Sequence, residues 1–584
     1  MAIKQVNPQG KTPVPSNGEG QAILSLQSRL AITAKRAREH RFDGLYSLLW
    51  RQEWLSKALD AVLDNSGSET PGVDGKRGGS LQDPSKRAKF LENLSLELRQ
   101  RRYRPSPVLR KYVPKSGGGQ RPIGIPTIKD RVVQTVLKMV LEPIFEADFL
   151  PNSNGFRPGR STLECILPLY RYGNSKARYD WVIEGDIKGC FDNIDHRILM
   201  DAIQQRIADR RVLRLVLAFL KAPVVEHGVR TKMGRGTPQG GVLSPLLANI
   251  YLNRFDQYWF EKWGKLSAYE RRQWRKHGKA SCELLRYADD FILAVKGSKN
   301  QAISIVNEIR EFFEDQLKLE LTAEKTRVVS LKEGFEFLGF QIQRHRLGHF
   351  SCVRICPTSR NVASIKLKLL RMLGRGAYAD DPALKIKSLN LVLRGWANYY
   401  ANVNSQQQFR AIDHSAELSL AAWLRNKRRI SVRESFRQMK RGKQIALAGQ
   451  YTSKELFCLS SLKSQRTSLN YRACWKYRSI PNPYLEEWST SIDDGDNSLI
   501  DAREIHPTSD ALYDETYRAN RLLAFERDGW RCTGCGERVG LEAHHIRRVP
   551  RVVLDPARVH AVKNLKTLCT RCHKRLRRRR KSSV

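Results

Sequence analysis

The 584-residue chain carries 103 Lys and Arg against 59 Asp and Glu, a formal charge of +44, with 41% hydrophobic and 9% aromatic residues. That apolar share supports sizeable cores and excludes a mainly disordered chain, and the length allows about three or four domains. The charge far exceeds what solubility requires, so a secreted or small-molecule metabolic enzyme is disfavoured and a polyanion, nucleic acid first, is the natural partner.

Residues 1–40 read as a leader or extension whose start, rich in Pro, Gly and Asn, lacks the greasy core of a signal peptide. No apolar run reaches the roughly 18 residues of a membrane span, so no membrane is expected. Helical spacing runs to about Gly67, a Gly-rich turn follows over Thr70 to Gly79, and a second helix ends in LRQRRYRP. From Val108 to about Phe340, β-like runs alternate with helical ones, as in a mixed α/β domain. From about Arg360 to Lys463 the apolar positions recur at helical spacing and Lys and Arg outnumber acids, which suggests a separate basic helical domain. A linker with the acids Asp493, Asp494 and Asp496 then leads to two CxxC pairs and a basic tail. The 11 cysteines are too sparse for a disulfide scaffold, which points to a reducing, intracellular compartment.

The segment LLRYADDFILAV (284–295) places two adjacent acids, Asp289 and Asp290, between two apolar strand-like runs, so YADD reads as a hairpin tip. A second apolar strand, in WVIEGDIKGCFDNID (181–195), ends at Asp186. Three carboxylates brought together repel unless cations bridge them. Two Mg²⁺ ions about 3.5–4 Å apart bridge such a cluster and serve phosphoryl transfer by activating the attacking oxygen and stabilising the leaving one. An isolated DD pair would be an ordinary turn; the second acid-ending strand argues otherwise.

These two segments resemble the palm motifs of reverse transcriptases. PKSGGGQRPIGIPTIKDRVVQ (114–134), NGFRPGRST (154–162), TPQGGVLSPLLANIYLN (237–253), LTAEKT (321–326) and FEFLGF (335–340) follow the order of group II intron-encoded reverse transcriptases. The resemblance covers roughly residues 40 to 475, and RGWANYY looks like that family's maturase or thumb domain. It implies that Asp186, Asp289 and Asp290 hold Mg²⁺ and that Ile187 lends a backbone carbonyl. Phe191 would be the ring under C2′ that favours dNTPs over ribonucleotides. Gln239 would pack beneath the incoming nucleotide, with Gly240 and Gly241 permitting close backbone approach. Lys115 and Arg121 would clamp the triphosphate, and Lys325 would protonate the pyrophosphate leaving group.

At the C-terminus, Cys532-x2-Cys535 and Cys569-x2-Cys572 have the spacing of a closed Cys₄ zinc site that would supply folding free energy. Between and after them lie AHHI (543–546), Asn564 and His573, which match the HNH nuclease pattern. That resemblance implies His545 as the general base, His544 and His573 as ligands of a divalent ion such as Mg²⁺, and Asn564 as the residue that orients the base. The alternative is a Cys₄ knuckle whose histidines only touch phosphate. Pro550, Asp555 and Pro556 depart from the more Gly-rich loop of many relatives, which leaves the cut position open.

In the helical region Arg425, Lys427, Arg428, Arg429, Arg433 and Arg437 form a cationic segment near Trp396, Tyr399, Tyr400 and Trp423. Such a surface can hold structured RNA by shape and phosphate. The resemblance implies a right-hand polymerase of α/β fingers and palm at 41–355 and an α-helical maturase or thumb domain at 356–475. A linker or DNA-binding region at 476–520 and a zinc-stabilised ββα-metal HNH module at 521–584 would complete it. The resemblance implies a cytoplasmic, nucleoid-associated protein that binds intron RNA as a lariat ribonucleoprotein, assists splicing, nicks double-stranded target DNA and extends the nick with dNTPs. Two rivals remain: a splicing-only maturase, and a reverse transcriptase of another retroelement or defence system.

Overall fold

The computed structural model describes residues 18–114, 118–173, 179–347, 350–374, 380–441, 444–448, 453–462, 482–485, 527–528, 531–533, 535, 541–545, 565–569 and 572. The chain divides into two compact units, Met1–Asp493 and Asp494–Val584.

In chain order the first unit carries β1 (Val108–Pro114), β2 (Gln120–Ile125), β3 (Trp181–Gly185), β4 (Val224–Glu226), β5 (Val229–Thr231), β6 (Ser281–Tyr287), β7 (Asp290–Lys296) and β8 (Arg327–Ser330). There follow β9 (Phe335–Phe337), β10 (Phe340–Leu347), β11 (Phe350–Pro357), β12 (Lys440–Arg441), β13 (Gln444–Ala448) and β14 (Ser453–Glu455). The order β2-β1-β4-β5 makes a fingers-like sheet, in which β1 and β2 form an antiparallel hairpin from Leu109↔Ile125 to Pro114↔Gln120. The order β6-β7-β3-β8 makes an antiparallel palm-like sheet. β6 and β7 are buried along nearly their whole length, which is why they read as continuous apolar runs rather than alternating ones. Phe255 of the helix Ser244–Trp259 and Phe313 of the helix Lys299–Leu317 cover Phe291 of β7, with Phe255 ring centroids 5.1 Å from Phe291 and 4.8 Å from Phe313.

The helix Ile128–Glu146 is buried on almost every side and begins at a cap that the sequence dictates. Thr127 Oγ1 accepts the Asp130 amide, and the buried Asp130 carboxylate accepts from Tyr103 Oη at 2.5 Å and Thr127 Oγ1 at 2.7 Å. Against this helix lies Gly18–Arg36, with Ile23, Ala31 and Ala34 buried and Gln27 Nε2 donating to the Met139 carbonyl at 2.8 Å. Part of the extension assigned to 1–40 is thus built into the core, because a buried apolar stripe holds it there.

The helices Ser359–Met372, Pro382–Tyr400 and Gln406–Arg428 follow β9–β11. Expected to stand apart, they instead share one hydrophobic core with the palm-like sheet: Val182, Leu285 and Ile292 are continuous with Phe340, Ile355, Leu393, Tyr400 and Trp423. Within the expected linker, Tyr484 Oη donates to Glu142 Oε2 at 2.6 Å and Leu485 is buried, so 482–485 belong to the first unit. In the second unit β15 (Leu541–His545) and β16 (Leu565–Cys569) pair antiparallel from Leu541↔Cys569 to His545↔Leu565. Among the described residues no helix is long and apolar enough to cross a membrane.

Candidate active site

The palm-like sheet gathers the three acids by register. Tyr287↔Asp290 closes the β6–β7 hairpin, leaving Ala288 and Asp289 as its two-residue turn. Gly185↔Phe291 places Asp186, the residue after β3, next to Asp290 at the start of β7. Ala288 takes φ 59°, a left-handed conformation that costs a non-glycine residue on the order of 1 kcal/mol or more.

Electrostatics mark the same cluster. Asp290 is open to solvent on one side yet set in dense protein, and its carboxyl is pushed up to about 7, first by desolvation, then by Asp289 and Asp186. The Asp289 carboxyl is also raised, chiefly by burial, with Asp186 adding and Arg121 opposing. Arg121 and Lys325 both pull Asp290 back down without cancelling the rise. Like charges held together at a protein surface, all with oxygen donors, are a set that hard divalent cations fit.

The remaining expected residues fall around these acids. Lys325 Nζ donates to Asp186 Oδ2 at 3.1 Å, and Thr322 Oγ1 donates to the same oxygen at 2.7 Å. Ile187 is buried and bridges to Leu321, so the LTAEKT segment lies against the end of β3. Phe191 is 9% exposed, its carbonyl accepts the Thr237 amide at 2.8 Å, and the ring of Phe156 meets it edge-on at 6.4 Å. Two residues further on, the Gln239 carbonyl accepts the Gly124 amide at 2.7 Å, which docks the TPQGG loop on the strand that carries Arg121. Gly240 at φ 123° is required there, since a Cβ would collide with the Gly124 carbonyl. Lys115 lies outside the described residues.

Some residues beneath the acids were not singled out from the sequence. Arg286, one position before the YADD hairpin tip, is fully buried and paired with the equally buried Asp256. Its signal was a lone arginine inside an apolar strand, a residue that is almost never buried unless paired. Gly155 of NGFRPGRST lies directly under the tip, where a Cβ would strike the Ala288 amide nitrogen. Phe156, at φ 59° and 49% exposed, presents its ring beside Phe191.

The cationic segment closes the helix Gln406–Arg428 and continues into Val432–Met439. Arg425, Arg428, Arg429, Arg433 and Arg437 are exposed, whereas Lys427 lies over the Trp423 ring at 5.7 Å. Arg437 Nε pairs with Glu434 at 2.7 Å, and Arg428 donates to Gln438 at 2.5 Å. The face is cationic but partly engaged with itself.

In the second unit the sulfurs of Cys532, Cys535 and Cys572 lie within 4.8 Å of one another. Tetrahedral zinc with Zn–S bonds of about 2.3 Å holds its sulfurs about 3.8 Å apart, so the cluster suits such an ion. Cys569 is the last residue of β16, and His544 and His545 end β15. Asn564 and His573 lie outside the described residues.

The reverse transcriptase (RNA-dependent DNA polymerase) family matches residues 113–342, and the group II intron maturase-specific domain matches residues 362–441. Protein YkfC of Escherichia coli is 40% identical over 374 residues, covering 60% of this chain and 96% of that protein. The group II intron-encoded protein LtrA of Lactococcus lactis subsp. cremoris is 32% identical over 56% of this chain and 61% of its own length. An uncharacterized 91 kDa protein in the cob intron of Schizosaccharomyces pombe is 24% identical over 96% of this chain and 73% of that protein. With both domains matched in this order, the chain belongs to the group II intron-encoded reverse transcriptase–maturase family.

Proposed function

We propose that this chain is an RNA-directed DNA polymerase that also assists splicing of its intron RNA, and that its C-terminal unit is an HNH endonuclease built on a structural zinc. The observation that carries the polymerase reading is the meeting of Asp186, Asp289 and Asp290 at one end of the palm-like sheet. Divalent cations held by these carboxylates would neutralise charge at the attacking and leaving oxygens. Arg121, with Lys115, binds the triphosphate of the incoming dNTP. Phe191 closes the space a 2′ hydroxyl would need, and Phe156 braces that ring. The loop through Gln239 supports the nucleotide from below, and Lys325, already within reach of Asp186, gives a proton to the pyrophosphate.

The exposed arginines at 425–437 grip structured intron RNA through phosphate, which a +44 chain favours. Cys532, Cys535, Cys569 and Cys572 hold the zinc. His544 and His573 hold a nuclease cation, and His545, oriented by Asn564, takes a proton from water to nick the second strand of a DNA target. The nick's 3′ hydroxyl then primes synthesis. Purifying the full chain from cells, sequencing the RNA bound to it and supplying that RNA with a DNA primer tests this reading. A structured intron RNA that is copied supports it; a bound intron RNA that is never copied would leave a splicing-only maturase.

A further inference from the structure

Arg286 is a fully buried, fully hydrogen-bonded charge at the active edge of the palm-like sheet. Its Nε donates to Asp256 Oδ1 at 2.9 Å, and Nη2 donates both to Asp256 Oδ2 and to Ser153 Oγ, the latter at 2.7 Å. Its Nη1 donates to the Ala288 carbonyl at 2.7 Å and to Asn249 Oδ1 at 3.2 Å. All five guanidinium N–H groups are thereby used, in the planar fork that arginine alone offers. One of them ends on the residue that bears the hairpin's left-handed backbone, next to Asp289 and Asp290.

The surroundings close the same ring. Asn249 Nδ2 donates to the Gly155 carbonyl at 2.8 Å, and Gly155 sits beneath the Ala288 amide. The backbone of Arg286 bonds Asn152 and Asn154 on either side of Ser153, at 2.8 and 2.9 Å. Asn152 Nδ2 reaches Asp256 Oδ1 at 3.0 Å. The turn is therefore held from below by the Arg286 side chain and by Gly155, both fixed in turn by a helix and a loop.

We propose, building on the polymerase reading, that Arg286 with Asp256 and Asn249 positions the catalytic turn: it holds Ala288 left-handed so that Asp289 and Asp290 present their carboxylates to one cation site. Outer residues that orient ligands of a metal typically change its affinity by about 10–100-fold when replaced. Deleting Arg286 outright is a poor test because it strands the Asp256 carboxylate in the interior. Arg286→Lys keeps the charge and loses the fork, and Asn249→Ala removes a brace while leaving the ion pair intact. Neither variant removes a positive charge, so a fall in metal affinity in either does not come from a lost cation.

The test is a Mn²⁺ titration of the full chain, free ion read by electron paramagnetic resonance, with Asp290→Ala defining the palm-bound fraction. RNA binding and circular dichroism are measured alongside. Arg286→Lys should weaken the Asp290-dependent site by roughly 10-fold or more, and Asn249→Ala by a smaller factor, with RNA binding held within about twofold. Should Arg286→Lys fail to fold, Asn249→Ala decides. Mn²⁺ affinity unchanged in the folded variants overturns the positioning role while leaving the polymerase reading intact. A wild-type chain with no Asp290-dependent Mn²⁺ site would remove both.

Discussion

Gly185 and Phe291 are register partners, and the residues just beyond them at the active edge, Asp186 and Asp290, are consequently neighbours. The sheet register thus brings these carboxylates close enough to repel one another. Desolvation by the dense surroundings, and after it the repulsion from that placement, raises the Asp290 carboxyl to about 7.

A carboxyl raised in the fold favours folding at low pH and loses that contribution as pH climbs through its folded value. Without divalent metal, the chain should therefore lose stability, relative to Asp290→Asn, as pH rises between about 4 and about 7. Thermal melting at about pH 4 and about pH 8 reads this: the two proteins should nearly match at the lower pH and separate at the higher. Mg²⁺ should narrow the gap at the higher pH, since it binds the ionised form. A gap that is absent, or that widens with Mg²⁺, would contradict the shared cation site.

Phe191→Val should raise ribonucleotide incorporation relative to dNTP incorporation on the same template, because the smaller side chain opens space at C2′. Phe156→Ala should move the ratio the same way by less, since Phe156 would act only through the Phe191 ring that it meets edge-on. An unchanged ratio in both would take the gate away from this pair.

Much of this site can be read in the sequence because its chemistry is local. YADD reads as a turn since two apolar strands flank it, and the pairing of Tyr287 with Asp290 follows from that pattern. Asp186 is visible as an acid ending a strand. What the sequence hides is long-range. Nothing near Arg286 names Asp256 as its partner, and nothing in NGFRPGRST says that Gly155 lies under Ala288. The docking of Gly18–Arg36 and the anchoring of Tyr484 on Glu142 are equally invisible, because each depends on a partner far along the chain.

Replacing Arg425, Arg429 and Arg433 with Ala should weaken RNA binding and lower the log–log salt slope by roughly one unit per lost phosphate contact. Arg437→Ala should matter less, because Glu434 already engages that guanidinium. Filter binding across a salt series checks both, and an unaltered slope in the triple variant would mean the face is only solvated.

Cys532→Ala should reduce zinc content and, by loosening the second unit, abolish nicking of target DNA. His545→Ala should abolish nicking while zinc content and primer extension persist, since it removes a proton acceptor and no thiolate. Zinc stoichiometry with a strand-nicking assay separates them. Nicking that survives His545→Ala would reduce the unit to a zinc-held DNA-binding element.

The most direct measurement is primer extension on an RNA template with Mg²⁺, run beside RNA binding, for wild type, Asp289→Ala and Asp290→Ala. Carboxylates contribute nothing attractive to a phosphate backbone, so RNA binding should remain in all three proteins. Extension should be robust in the wild type and abolished in each variant, because one lost ligand breaks the cation site. Extension near the wild-type rate in both variants, with RNA still bound, would contradict the assignment of polymerase chemistry to this edge of the sheet.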